Sequence, residues 1–146
     1  MHLALLITCA VTLLIFVVCA GACFTRHGRG TAGCHMVKVT GPVSVGCEIY
    51  VLWTTPPPHP ILGAAGIALF ALALVLFLWA LAAHRGRRLT RVYCADAPER
   101  LVTRGPYGWM RHPCYTAYLL AFGAGLVATA SPWLLPVVVG NGILYA

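Results

Sequence analysis

Hydrophobic and polar positions divide this chain into long uncharged runs separated by short charged stretches. Residues 3–24 run 22 positions without a charge. At about 1.5 Å per residue that is enough to cross a hydrocarbon core of about 30 Å, and it predicts a transmembrane helix. The rival reading is a cleaved signal peptide, with Ala20-Gly21-Ala22-Cys23 as the processing site. Against it, no Lys or Arg precedes the run, and its apolar part exceeds the usual ~7–15 residues. Residues 61–83 form a second uncharged span rich in Leu, Ala and Phe, with Trp79 near its exit, where an indole can straddle an interface. Residues 115–130 are apolar again, and Ala117, Ala121, Gly125 and Thr129 repeat every fourth position. Small residues at that interval make a groove that admits another helix closely, and the next helix is the expected partner. Ser131-Pro132 makes a turn and residues 133–146 start back, which predicts a tight helical hairpin.

Between the first two runs, residues 25–60 are mixed, with Arg26, Arg29 and Lys38 against Glu48 and many Gly, Thr and Pro. Residues 43–53 are apolar apart from Glu48 but too short to span a bilayer. They read as an interfacial or re-entrant piece, or a strand-like excursion, inside an extracytoplasmic loop. Pro56-Pro57-Pro58 and Pro60 then give a stiff, extended lead-in to the second span. The expected fold is all-α, an integral membrane bundle of about four transmembrane helices. Residues 1–60 supply a helix and a Gly/Pro-rich loop, and residues 61–146 supply the core.

Composition agrees with a membrane setting. The chain is 60% hydrophobic and only 9% charged, against about a quarter charged in soluble domains. The net charge of +7 raises a nucleic-acid reading. Its distribution argues against that reading, because residues 84–112 hold seven Arg against Asp96 and Glu99, a balance of +5, whereas residues 25–60 hold +2. The positive-inside rule puts the Arg-rich loop in the cytoplasm, and two crossings before it put the N-terminus there as well.

Polar function concentrates in Leu101-Val102-Thr103-Arg104-Gly105-Pro106-Tyr107 and, after a second flexible point at Gly108, in Arg111-His112-Pro113-Cys114-Tyr115. Gly105-Pro106 is turn chemistry, and Pro113 suits a helix start because its missing N–H has no intrahelical partner there. The positive end of that helix beside Arg111 and His112 suits a carboxylate or phosphate. The two linked motifs resemble the integral-membrane methyltransferases that include isoprenylcysteine carboxyl methyltransferases and phospholipid N-methyltransferases. The resemblance covers roughly residues 85–146.

That resemblance implies methyl transfer from S-adenosylmethionine to a lipid or lipophilic acceptor arriving from the bilayer. It implies cofactor contacts at Leu101, Val102, Tyr107, His112, Pro113, Cys114 and Tyr115, with Glu99 and Arg100 as neighbours that depart from the family's usual residues. Arg111 is a further possible participant. The acceptor stays open between an isoprenylcysteine carboxylate, a phospholipid amine and a small lipophilic thiol or acid. In the family the returning helix is followed by a cytoplasmic segment with an Arg and paired Glu, which this sequence does not reach before Ala146. A truncated version of a longer enzyme and a catalytically silent scaffold that keeps the helices are the two expectations. Read singly, the upstream arginines are topology determinants, and Tyr107, Trp109 and Tyr115 are interfacial aromatics. Only their ordered combination points to a site. The seven cysteines contain no C-x-x-C and predict no metal centre, although Cys34 and Cys47 could pair in an oxidising compartment.

Overall fold

The computed structural model describes residues 1–23, 32–83 and 102–145. Their regular structure is helical: α1 (His2–Cys23), α2 (Ala32–Thr54), α3 (Pro60–Ala83), α4 (Pro113–Thr129) and α5 (Leu135–Tyr145), with 3₁₀ turns at Gly105–Gly108 and Pro132–Leu134. This is the expected all-α bundle. Helices α1 and α3 each contain a window long and apolar enough to cross a membrane.

The helix ends follow local chemistry. His59 opens α3, its Nδ1 accepting from the Ile61 amide at 3.2 Å and its carbonyl from the Gly63 amide at 3.2 Å. Thr54 closes α2 by donating its hydroxyl to the Tyr50 carbonyl at 2.9 Å, and Pro56-Pro57-Pro58 follow. Ala130 ends α4 in the left-handed region at φ 49°. There the Ser131 amide donates to Thr129 Oγ1 at 3.3 Å.

The expected loop over residues 25–60 is corrected by α2, which runs 23 residues through Gly41, Pro42, Gly46 and Glu48. Pro42 withholds the N–H that the Lys38 carbonyl would accept, and Glu48 lowers the hydropathy. Both hide a helix whose stability comes from its neighbours. Ser44 and Glu48, one turn apart, are buried among them. Cys34 and Cys47 lie in this one helix, 13 residues or about 20 Å apart along its axis, far beyond disulfide reach. Cys47 is a free thiol.

Contacts between helices fix their directions. Met1 lies near Gly63 and Pro57 at the start of α3, and Phe16 meets Phe77 with ring centroids 4.4 Å apart, so α1 and α3 run parallel. His2 Nε2 donates to the Leu52 carbonyl at 2.7 Å, which makes α2 antiparallel to α1. Gly66 of α3 faces Ala124 and Ala128 of α4, and Phe77 meets Tyr118 at 5.6 Å, which makes α4 antiparallel to α3. Helix α5 returns beside α4, bringing Tyr145 to 4.6 Å from Tyr115 and completing the expected hairpin. The N-terminus therefore sits at the bundle end away from Gly105–Gly108. The expectation had it at the same end, and α2, a helix between α1 and α3, is what reverses the placement.

The core gathers Leu5, Cys9, Leu13 and Phe16 of α1, Leu52 of α2, Phe70, Ala73, Phe77 and Ala80 of α3, and Ala117, Ala121, Ala124 and Ala128 of α4. The small residues of α4 were expected to receive the following helix. Of the expected groove, Gly125 does meet Leu134 of the segment that follows but also receives Glu48 of α2, while α3 packs at Gly66 against the neighbouring Ala124 and Ala128. Close approach of this kind supplies the van der Waals packing that holds helices together where lipid offers no hydrophobic drive.

Candidate functional site

The motif residues gather where α3 ends and α4 begins. The backbone is extended at Arg104 (φ −97°, ψ 160°) and then turns through Gly105–Gly108. Gly105 has φ +57°, a conformation glycine adopts without strain, and a Cβ there would come within 3.1 Å of Trp79 Nε1 and 3.4 Å of Ala83 Cβ. The turn is thus pressed onto the end of α3. Trp79 also meets the exposed Trp109 edge to face at 5.8 Å. Backbone bonds from Tyr107 to the Arg104 carbonyl (3.2 Å), and from Trp109 (3.1 Å) and Met110 (3.0 Å) to the Pro106 carbonyl, hold it closed.

This turn lowers Tyr107 onto α4. Its hydroxyl lies 3.6 Å from Cys114 Sγ. Burial, reinforced by the neighbouring Cys114, Tyr115 and Tyr118, pushes the Tyr107 phenol well above its ordinary value, so the hydroxyl stays protonated. His112 is the N-cap of α4 (φ −129°, ψ 62°), makes no side-chain cap bond, and precedes Pro113 in the first turn. Its carbonyl accepts from the Thr116 amide at 3.0 Å and the Thr116 hydroxyl at 3.1 Å. The Arg111 and His112 side chains are exposed beside the positive end of the helix dipole.

Behind them runs an aromatic column. His112 meets Tyr115 at 6.0 Å, Tyr115 meets Tyr145 at 4.6 Å and Tyr118 at 6.0 Å, and Tyr118 meets Phe16 at 5.0 Å. Such tilted and edge-to-face pairs add about 0.5–1.5 kcal/mol each beyond area burial.

Of the residues singled out in the sequence, Tyr107, Cys114 and Tyr115 converge, and His112 joins them through Tyr115. Val102 is half-buried and Pro113 is buried at the start of α4. Cys114 and Tyr115 turn inward, with 4% and 6% of their surfaces exposed, so that Arg111 and His112 are the ones that face outward. Glu99, Arg100 and Leu101 lie outside the described residues. Sequence reasoning missed Tyr118 and Tyr145, although Tyr118 follows Tyr115 at helical spacing. Tyr145 had no such signal, since only the return of α5 brings it near.

An exposed Arg–His pair at an uncapped helix start, with a protonated phenol and an aromatic column behind it, can hold an anionic group and shelter a flat or cationic one. Residues 61–146 match the phospholipid methyltransferase family. With more than half its length in that match, the chain belongs to this family of membrane methyltransferases. Neither the comparison with curated proteins nor that with solved structures returned a match.

Proposed function

We propose that the protein is a multi-pass membrane methyltransferase that takes its methyl group from S-adenosylmethionine and transfers it to a lipid, a phospholipid amine being the acceptor its family favours. The observation that carries this reading is the exposed Arg111–His112 pair at the uncapped start of α4, one contact from the tyrosine cluster. The residues present fit such a cofactor. Arg111, His112 and the dipole of α4 suit its carboxylate, while Tyr107 and the column behind it suit its adenosine and sulfonium portions. Pro113 and Cys114 fix the start of α4 rather than reaching outward, and Tyr115 is reached only if Tyr145 moves aside. The resemblance assigns further cofactor contacts to Glu99, Arg100, Leu101 and Val102.

The cofactor when bound supplies an electrophilic methyl on a positively charged sulfur, so no protein nucleophile is needed. The chain's own residues orient the two reactants, exclude water and balance charge, contributions that can carry much of a rate enhancement. The neutral Tyr107 hydroxyl donates without adding a charge. A lipid acceptor reaches this end of the bundle by lateral entry, and the Arg-rich stretch orients this end to the cytoplasm.

The test is transfer of labelled methyl from S-adenosylmethionine to a bilayer lipid extract by the purified chain, with products separated by headgroup. Label in methylated amine headgroups supports the reading, and label in free fatty acids or none in lipid overturns the acceptor assignment. The close cover of Tyr145 over Tyr115 favours a second reading, a scaffold that keeps the helices without catalysis. Cofactor binding without transfer to any lipid would select it.

A further inference from the structure

Glu48 is the one acidic side chain among the described residues, and nothing in the methyltransferase reading uses it. It is fully buried on α2, and neither carboxylate oxygen has a hydrogen-bond partner. The carboxylate is laid over Gly125 of α4 so closely that a Cβ there would come within 2.6 Å of Oε1. One turn away on the same face of α2, Ser44 Oγ accepts from Asn141 Nδ2 of α5 at 2.7 Å, and the Asn141 amide also donates to the Val137 carbonyl at 2.8 Å. Both amide hydrogens are thereby used, while Asn141 Oδ1, 3% exposed at the residue level, has no partner. On α1, Thr12 is 1% exposed and its hydroxyl also has no partner. Cys9, one turn from Thr12, lies within electrostatic reach of Glu48. Side chains of α2 and α5, backed by Gly125 of α4, thus leave the Glu48 carboxylate and Asn141 Oδ1 as unmatched acceptors on the face that Ser44 shares.

We propose that Glu48, Ser44 and Asn141 form a binding site for one monovalent cation, either an alkali ion or a primary ammonium group. The donor set is a carboxylate, an amide carbonyl and a hydroxyl, all hard oxygens. A single carboxylate is balanced by a single positive charge, whereas a divalent ion would leave an uncompensated charge inside the bundle. Intramembrane carboxylates are costly to keep unmatched and characteristically pair with cations or line ion paths. Gly125 stands 12 residues along α4 from Pro113, about 18 Å. The site is therefore separate from the Arg111–His112 end, and the proposal stands apart from the methyltransferase reading.

The test is the thermal midpoint of the detergent-purified chain in choline chloride, with choline replaced by sodium, potassium or methylammonium at constant ionic strength. The expected result is a saturable rise of several degrees with at least one of these ions. A response confined to sodium or potassium identifies an alkali ion, and a response to methylammonium identifies an ammonium group such as an amine headgroup carries. Glu48→Gln, which keeps the shape and removes the charge, should abolish the rise. Asn141→Ala, which keeps the carboxylate, should raise the half-saturating concentration about tenfold. No ion outperforming choline, or a Glu48→Gln chain that responds like the wild type, would overturn the proposal. If Glu48→Gln does not fold, an unchanged half-saturation in Asn141→Ala would do so.

Discussion

The contact between α3 and α4 lends itself to a pair of glycine substitutions with opposite signs. At Gly66 an added Cβ would lie 2.5 Å from Ala128 Cβ, 3.1 Å from the Ala124 carbonyl oxygen and 3.3 Å from Ala128 Cα. Ordinary carbon contacts are about 3.5–4.0 Å, so the methyl intrudes by roughly 1 Å on atoms that no rotamer change can move. The helices must separate, at the usual overpacking cost of about 1–3 kcal/mol. Alanine returns at most about 1 kcal/mol of helix propensity, which leaves Gly66→Ala destabilised by roughly 1–2 kcal/mol. At Gly123 of α4 a Cβ meets nothing within 4 Å, so only the propensity gain operates and Gly123→Ala is stabilised by up to about 1 kcal/mol. Thermal midpoints in detergent, with helicity followed by circular dichroism, read both. A Gly66→Ala midpoint at or above wild type, with Gly123→Ala below it, would refute the packing of α3 against α4.

Three further outcomes follow from the same geometry. Ala130→Gly should raise stability by roughly 1 kcal/mol, because Ala130 holds φ 49°, where a Cβ costs about 1–2 kcal/mol; a thermal melt checks it. Gly105→Ala forces a side chain into φ +57° and toward Trp79, so it should displace the turn and weaken S-adenosylmethionine binding several-fold while leaving overall helicity intact. Tyr107 carries a raised pKa from burial, so its folded-state contribution is fully present below the ordinary tyrosine value of about 10 and fades only as pH rises above it. Stability of Tyr107→Phe relative to wild type should therefore stay constant from pH 6 to 9, as equilibrium unfolding at each pH would read out.

Helices whose stability comes from uncharged length were legible in the chain. Residues 3–24 and 61–83 anticipate α1 and α3 to within a residue or two, and Pro113 marks the start of α4 because its chemistry suits a first turn. Helix α2 was not legible. Its Lys38, Pro42 and Glu48 break every local criterion, and what sustains it is burial of Ser44 and Glu48 against α4 and α5, a property of neighbours rather than of its own pattern. Missing it also inverted the placement of the N-terminus. The small-residue face of α4 was visible as a spacing, but spacing does not name its partner, which proved to be α3 and α2 as well as the following turn. At the site, the motif order identified Tyr107, Cys114, Tyr115 and His112 as one cluster. The cover over Tyr115 comes from Tyr145, 30 residues beyond it and invisible to any local rule.

Binding of S-adenosylmethionine to the detergent-purified chain, measured by calorimetry beside His112→Ala, tests the central claim most directly. A hydrogen bond to a charged group is worth about 1.5–3 kcal/mol, so the account predicts saturable binding in the wild type and a loss of roughly 10–100-fold in His112→Ala, with helicity unchanged. Wild-type affinity retained in His112→Ala, or no binding by the folded wild-type chain, would contradict it.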